Sequence, residues 1–115
     1  MKHFENFEIW YADLPFMPAS HVQYGIRPVI IVSNNLANAH SHVATVVPLT
    51  SRNKTPLPTH VRIQSPDLAK DSIALCEQIL TIDESRLKRR VGFVLDDFDR
   101  VSLHQAMRIQ LGMAA

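Results

Sequence analysis

The sequence predicts a small, mostly antiparallel β domain that ends in a helix. Short apolar runs separated by turn residues continue to about Val94, a pattern typical of strands joined by loops. From Asp96 onward the apolar residues take a helical spacing instead. The 115 residues are predicted to form one domain, 1–115, because this length can bury a core but is too short for two domains.

Six segments are predicted as strands because they are apolar or alternating and are bounded by turn residues. They are Ile9–Leu14, Pro28–Ser33, His42–Thr50, His60–Gln64, Ser72–Gln78 and Arg90–Val94. In His60–Gln64, Val61 and Ile63 face one way, and the three polar residues are expected on a solvated face. Residues 35–40 are expected to form at most one helical turn.

The C-terminal segment is predicted as a helix with Asp96 as its N-cap. Seven apolar residues recur on one broad side of this helix: Phe98, Val101, Leu103, Ala106, Met107, Ile109 and Met113. A helix with so wide an apolar side is expected to pack on the sheet, on a partner subunit, or on both.

Composition and charge restrict the class of protein. With 46% hydrophobic and 20% charged residues, long disordered stretches are not expected. A formal net charge of +1 means that any nucleic-acid binding must be local. Positive charge is concentrated in residues 52–62 and in the run Arg86–Arg90. The second cluster fits a phosphate contact or a solvated guard of a strand edge equally well.

The sequence also indicates the compartment and the absence of cofactors. Cys76 is the only cysteine and is expected to be buried, so a reducing compartment is predicted. Residues 1–7 lack the apolar region of a signal peptide, and no stretch approaches the roughly 18 apolar residues of a membrane span. We expect a cytoplasmic protein. The histidines show no spacing typical of metal ligands, so neither a metal site nor a cofactor is predicted.

A lone arginine stands where a turn becomes a buried strand, in Gly25–Asn34. Pro28 pushes Arg27 toward extended geometry, and the β-branched run that follows must be buried. An arginine fixed at the edge of a sheet is well placed to bind an anion, because its planar fork matches two phosphate oxygens. The alternative is an ion pair that fixes the turn, with Asp13 or Glu77 as the partner.

Thr50 ends a second apolar run, and a polar, basic loop follows it. Its hydroxyl can hydrogen-bond a phosphate oxygen as negative charge develops during RNA cleavage. The alternative is a strand-end hydroxyl that caps a turn. Ser51, Arg52 and Lys54 fit either phosphate contacts or a solvated loop.

Five sequence blocks between about Glu8 and Leu87 occur in a familiar order and spacing. They are Ile9–Leu14, Gly25–Asn34, Val46–Ser51, Leu57–Val61 and Leu75–Asp83. Each block alone would be a common string, but five in order over most of a small chain are informative. Together they resemble the MazF/PemK family of toxin endoribonucleases.

The resemblance implies a small SH3-like β-barrel with a C-terminal helix, assembled as a homodimer. It implies a metal-independent, sequence-specific endoribonuclease that cleaves single-stranded RNA and leaves a cyclic phosphate and a 5′-hydroxyl. It further implies a growth-arresting toxin, neutralised by an antitoxin whose acidic tail occupies the RNA groove. In the family, the arginine of the RPV block and the threonine of the P-[LI]-T block carry catalysis, and here these are Arg27 and Thr50.

The loop before the RPV block departs from the family pattern. Many relatives carry G-S-E-Q-x-G-x-R-P, whereas residues 20–28 read S-H-V-Q-Y-G-I-R-P. Gln23 matches, but Val22 replaces a glutamate considered as the general base in some relatives. His21 is the substitute because imidazole changes charge near neutral pH, and the alternative is an exposed bystander. Two weaker candidates for the base are His42 and His60.

Further RNA contacts are predicted around the arginine and the threonine. The predicted residues are Gln23, Tyr24, Ser51, Arg52, Lys54 and Gln78. Tyr24 lies in the loop next to Arg27 and can stack on a base. Trp10 is expected in the core, given its position in an alternating strand.

Two functions compete with the nuclease. The first is a toxin on the same barrel that binds a protein target, as the gyrase-poisoning CcdB group does. That group is not marked by an RPV arginine paired with this threonine. The second is an RNA-binding module without nuclease activity, which the valine at the usual glutamate position favours. A direct cleavage assay separates the nuclease from both.

Overall fold

The computed structural model describes residues 2–113, which contain seven strands and two helices. The elements are β1 Glu8–Leu14, β2 Gly25–Ile31, α1 Asn35–His40, β3 Val43–Thr50, β4 His60–Ile63, β5 Ser72–Leu75, β6 Leu80–Asp83, β7 Leu87–Phe93 and α2 Asp97–Gln110. Short 3₁₀ turns at Cys76–Gln78 and Glu84–Arg86 precede β6 and β7. Within the described residues, neither helix has the length and apolar character needed to cross a bilayer.

The strands form one antiparallel sheet in the order β4-β5-β3-β2-β1-β7, with β6 also paired to β3. In the β1–β2 pair, Tyr11 lies opposite Pro28 and Ala12 opposite Arg27. The predicted β-rich fold with a C-terminal helix is confirmed. Among the described strands β4 and β7 do not pair with each other, so the barrel-like sheet stays open.

Hydrophobic residues pack on both faces of the sheet, which explains why the central strands are apolar throughout. One cluster includes Ile9, Ile30, Leu49, Ile63 and Leu103. The other cluster includes Trp10, Ala12, Val29, Ile31 and Leu87. Neighbouring residues such as Ile9 and Trp10 therefore alternate between two cores. Trp10 is 8% exposed, which confirms its predicted core position.

The predicted strand Ser72–Gln78 is shorter than expected and is followed by a strand that was not predicted. β5 ends at Leu75, and the chain turns through Cys76–Gln78 before β6 begins at Leu80. The Ile79 N–H donates to the Cys76 carbonyl oxygen at 3.3 Å and closes this turn. No glycine or proline interrupts this segment, so its sequence lacks the usual sign of a turn.

The C-terminal helix begins as predicted but buries only part of its apolar side. The Asp96 carboxylate accepts the Phe98 N–H at 2.8 Å, which confirms the N-cap. Leu103 and Ala106 are buried against the sheet, whereas Phe98 is 77% exposed and Val101 is 64% exposed. The helix therefore presents an unpartnered apolar side within this single chain. The short α1 is a six-residue helix and exceeds the single turn expected there.

Candidate functional site

Arg27 and Thr50 line the same open cavity although they lie on different strands. Arg27 is near the start of β2, and Thr50 is the last residue of β3. The cavity has a volume of about 240 Å³. Its other lining residues are Tyr11, Pro28, Leu49, Ser51, Leu68, Ala69, Lys70 and Ser72. The fold thus brings together the two residues that stand out in the sequence.

Arg27 is held in place by the backbone around it. Gly25 has a φ of +79°, a left-handed conformation that favours glycine, and Pro28 restricts the residue before it. The Arg27 Nε–H donates to the Tyr24 carbonyl oxygen at 3.0 Å. Its two terminal nitrogens make no hydrogen bond or ion pair within residues 2–113. The guanidinium therefore presents free N–H donors at a fixed position.

The ion pair considered for Arg27 is not formed. The Asp13 carboxylate lies 3.7 Å from Nη1 of Arg86. The Glu77 carboxylate lies 2.9 Å from Nε2 of His60. Both candidate partners are occupied elsewhere, so the positive charge of Arg27 is not neutralised within the described part of the chain.

Thr50 makes the turn-capping contact considered for it and keeps its hydroxyl proton free of any partner among residues 2–113. The residue is 2% exposed, and its Oγ1 accepts the Arg52 N–H at 3.2 Å. This is the turn-capping bond expected as the alternative. The bond uses an acceptor lone pair and leaves the hydroxyl proton available to a ligand oxygen.

A second cavity of about 170 Å³ shares Arg27 with the first. Its other lining residues are Ser20, His21, Val22, Gln23, Tyr24, Arg52 and Lys54. The exposed Tyr24 ring packs edge-on against Phe16, with centroids 4.8 Å apart. Among the described residues, His21 is the only imidazole or carboxylate that lines either cavity.

The other two histidines considered as the base lie elsewhere and are occupied. His60 contacts Glu77, and His42 Nδ1 lies 3.1 Å from Oε1 of Glu84. Neither histidine lines the two cavities that contain Arg27. The geometry therefore leaves His21 as the candidate base near Arg27.

Gln78 fastens the loop that carries His21 and Tyr24. Its Oε1 accepts the Gln23 N–H at 2.7 Å, and its Nε2 donates to the His21 carbonyl oxygen at 3.5 Å. Both ends of the amide are thus used within the protein. The Gln78 side chain therefore positions the loop, and its contact with RNA stays a prediction.

The cavities at Arg27 continue into a third one of about 450 Å³. Its lining residues are Ser51, Arg52, Asn53, Arg62, Lys70, Asp71, Ser72 and Ile73. The first and third cavities share Ser51, Lys70 and Ser72, so we call the three together the basic groove. Lys70 was not predicted, because its irregular segment offers no periodicity and only its charge marks it.

A second polar cluster lies away from the basic groove, at the start of β4. Glu77 Oε2 lies 2.9 Å from His60 Nε2, and the Thr59 hydroxyl donates to Glu77 Oε1 at 3.0 Å. The His60 side chain is 8% exposed. The expected solvated face of β4 is therefore wrong for His60, because this side chain packs against Glu77. It is confirmed for the exposed Arg62 and Gln64.

The contacts of Glu77 shift its pKa. Burial raises the pKa of this carboxyl, but hydrogen bonds from His60, from its own backbone and from Thr59 outweigh burial. The pKa of Glu77 therefore lies below its ordinary value. We call Thr59, His60 and Glu77 the buried polar cluster.

The described part of the chain contains neither a reactive thiol nor a cluster of metal-binding side chains. Cys76 is fully buried, as predicted. Burial, and then the charge of Glu77, raises the pKa of its thiol to about 12, so it stays protonated at neutral pH. Within residues 2–113 no three His, Cys, Asp or Glu side chains are close enough together to hold a metal ion.

Comparison with known families identifies the relatives of this fold. Residues 5–111 match the family described as PemK-like, MazF-like toxin of type II toxin-antitoxin system. The chain belongs to the MazF/PemK family. This match confirms the resemblance carried by the five sequence blocks. It extends that resemblance through the whole of α2.

Individual members of the MazF/PemK family agree with this assignment. Endoribonuclease MazF from Staphylococcus saprophyticus subsp. saprophyticus is 39% identical over 109 residues, which is 92% of this chain and 89% of that protein. The crystal structure of MazF from Deinococcus radiodurans matches with a TM-score of 0.81 and 22% identity, over 98% of this chain and 100% of that one. A mycobacterial endoribonuclease in complex with its cognate antitoxin matches with a TM-score of 0.79 and 24% identity, over 96% and 97% of the two chains. At these identities the two structures establish the shared fold.

Proposed function

We propose that this protein cleaves single-stranded RNA in the basic groove, by attack of a ribose 2′-hydroxyl on the adjacent phosphate. As a MazF/PemK-family member, it is an endoribonuclease toxin of a type II toxin–antitoxin system. The observation that carries the proposed site is the shared cavity of Arg27 and Thr50, with the terminal nitrogens of Arg27 unpaired in the described chain.

In the proposed reaction, the 2′-oxygen forms a bond to phosphorus and the bond from phosphorus to the 5′-oxygen breaks. His21 takes the proton of the 2′-hydroxyl, and the departing 5′-oxygen takes a proton from water. His21 then gives its proton to the hydroxide that remains, which regenerates both the base and the water. The products are a 2′,3′-cyclic phosphate and a 5′-hydroxyl. Atoms and charge balance without any further reactant.

The groove supplies the charge that this reaction requires. The Arg27 fork binds two phosphate oxygens, and the Thr50 hydroxyl donates to a non-bridging oxygen as negative charge develops. Arg52, Lys54 and Lys70 line the same groove and attract the flanking phosphates. We propose that these side chains replace a metal ion in stabilising the transition state.

Base recognition is proposed to come from the loop that Gln78 fastens. Tyr24 is exposed next to Arg27 and offers a face for stacking, while Gln23, Ser51 and Arg52 present polar groups along the groove. These contacts would make cleavage sequence-specific.

We also propose that the protein acts as a cytoplasmic homodimer that an acidic antitoxin neutralises. The exposed apolar residues of α2 and its C-terminal end offer a dimer surface: Phe98, Val101, Ile109, Leu111 and Met113. The unpaired cations of the basic groove suit an acidic antitoxin segment as well as RNA. The related mycobacterial endoribonuclease is described in complex with its cognate antitoxin.

The proposal is tested by incubating the purified protein with a long unstructured RNA in EDTA and sequencing the new 5′ ends. Discrete cuts that carry 5′-hydroxyl ends are expected, with recurring sequence at each cut. His21→Ala should slow cleavage, while His3→Ala, which changes an exposed histidine outside the groove, should not. RNA that remains intact over a broad range of pH would instead favour the RNA-binding module without nuclease activity.

A further inference from the structure

Arg89 differs from its two neighbouring arginines in having no acidic partner. Arg86 pairs with Asp13, and Arg90 Nε lies 2.8 Å from Oε2 of Glu8. Arg89 is exposed, and its side chain makes no hydrogen bond or ion pair with residues 2–113. The basic run Arg86–Arg90 thus contains two arginines used by the fold and one whose charge is unused.

Arg89 is nevertheless held in position by an aromatic ring. Its Cζ lies 5.0 Å from the centroid of Tyr11, and the two residues are cross-strand partners in the β1–β7 pair. A guanidinium over a ring keeps the N–H groups along its edges free for an anion. The stack therefore positions Arg89 without consuming its donors.

Tyr11 connects Arg89 to the basic groove. Tyr11 lines the cavity of Arg27 and Thr50, and its partner on the other side is Pro28. Adjacent strands lie about 4.8 Å apart, so Arg89 on β7 is about 10 Å across the sheet from β2. The backbones of Arg27 and Arg89 are thus far enough apart for the two side chains to contact different phosphates of the same strand.

We infer that Arg89, stacked on Tyr11, forms a subsite for a backbone phosphate of the RNA at a distance from the scissile one. The inference rests on the proposed function and adds the direction of the RNA path, from the basic groove across Tyr11 to the edge of the sheet. If Arg89 only kept the edge strand β7 from pairing with another strand, it would need a charge but no aromatic ring to hold its side chain.

The neighbouring lysine provides a matched control. Lys88 lies on the same strand, is exposed and carries the same charge, but it has no partner on β1, because the β1–β7 register shifts between Tyr11 and Ala12. Its Nζ donates to the Ser85 carbonyl oxygen at 3.3 Å, on the 3₁₀ turn before β7. Loss of Lys88 removes an equal charge from a side chain that is not stacked on Tyr11.

The test is binding of a mixed-sequence 2′-O-methyl RNA, which keeps the phosphates but cannot react through its 2′-oxygen. Affinity is measured against salt concentration for the parent and for Arg89→Ala, Arg89→Lys and Lys88→Ala, after unfolding curves confirm folding. Arg89→Ala is expected to weaken binding by about two- to fivefold, in line with one exposed ion pair. The slope of log affinity against log salt should become less negative by about 0.7, the value for one single-strand phosphate.

Arg89→Lys should retain the parent salt slope, and Lys88→Ala should match the parent in affinity. Equal binding by Arg89→Ala and the parent, or equal losses in Arg89→Ala and Lys88→Ala, would overturn the subsite. The subsite would also be overturned if Arg89→Ala weakened the binding of a poly-glutamate peptide but not that of the RNA. This result would assign Arg89 to an acidic protein partner. Because binding is measured without cleavage, a parent that binds through Arg89 but cuts no RNA would contradict the nuclease site and still support the subsite.

Discussion

The basic groove and the buried polar cluster are both rich in polar side chains, but their charged groups Arg27 and Glu77 differ in whether they have partners. In the buried polar cluster, Glu77 receives hydrogen bonds from His60 and Thr59. In the groove, Arg27 has terminal nitrogens that no group of residues 2–113 pairs, and no described carboxylate lines the two cavities around it.

The difference separates stability from ligand binding. A paired, largely buried polar group is costly to disrupt, because its partner is left without a hydrogen bond. An unpaired cation held at the surface adds little to stability, since water solvates it, and it remains available to an anion. We therefore expect substitutions in the groove to reduce activity and substitutions in the buried polar cluster to reduce stability.

After Arg27, Thr50 is the residue whose substitution is expected to slow cleavage most. Thr50→Val keeps the shape but removes the hydroxyl, so cleavage should fall by about 100-fold or more, as for loss of a transition-state donor. Single-turnover cleavage measures this effect. Thr50→Ser restores the donor and should recover most of the rate. If Thr50→Val cleaves as fast as the parent, the hydroxyl only caps its turn.

Glu77→Ala should affect stability rather than chemistry. It leaves His60 and Thr59 without their shared acceptor, at a cost of about 2 kcal/mol in the free energy of unfolding. Urea denaturation measures this change. Glu5→Ala is the control, because the Glu5 carboxylate and its partner His3 are both exposed and the loss should stay below about 1 kcal/mol. Equal losses in the two variants would show that the buried polar cluster has no special role in stability.

Gln78→Ala connects the two regions and should give an intermediate effect. Loss of its bonds to Gln23 and His21 loosens the loop, which should slow cleavage by about three- to tenfold, the equivalent of one or two hydrogen bonds. The exposed Gln64→Ala is the control and should cleave like the parent. A Gln78→Ala variant with the parent rate would show that the loop keeps its place without this side chain.

The smallest effect is expected in the pH dependence of stability. The pKa of Glu77 is lowered in the folded protein from 4.5, so its ionised form stabilises the fold above that pH. This contribution is lost as pH falls through the lower, folded pKa. Below about pH 4.5, the free energy of unfolding of Glu77→Gln should fall less steeply with decreasing pH than that of the parent. It should still fall, because other carboxylates remain. Parallel stability curves for Glu77→Gln and the parent would rule out this contribution.

The sequence predicts the groove better than the cluster because local chemistry fixes Arg27. A turn glycine, a proline and a buried strand follow one another there, and each restricts the backbone without help from distant residues. His60 and Glu77 meet only through the pairing of β4 with β5 and the turn after it, which no local pattern encodes. The sequence also did not predict which apolar residues of α2 stay exposed, because periodicity gives the apolar side of a helix but not what covers it.

The most direct test of the account is the comparison of Arg27→Ala with Arg86→Ala, two arginines that differ in having a carboxylate partner. Single-turnover cleavage of RNA in EDTA and urea denaturation are measured for both variants. Arg27→Ala should lower the cleavage rate by about 100- to 1000-fold, with the free energy of unfolding unchanged within about 0.5 kcal/mol. Arg86→Ala should keep cleavage near the parent rate. Equal cleavage by the two variants would contradict the assignment of the unpaired arginine to catalysis.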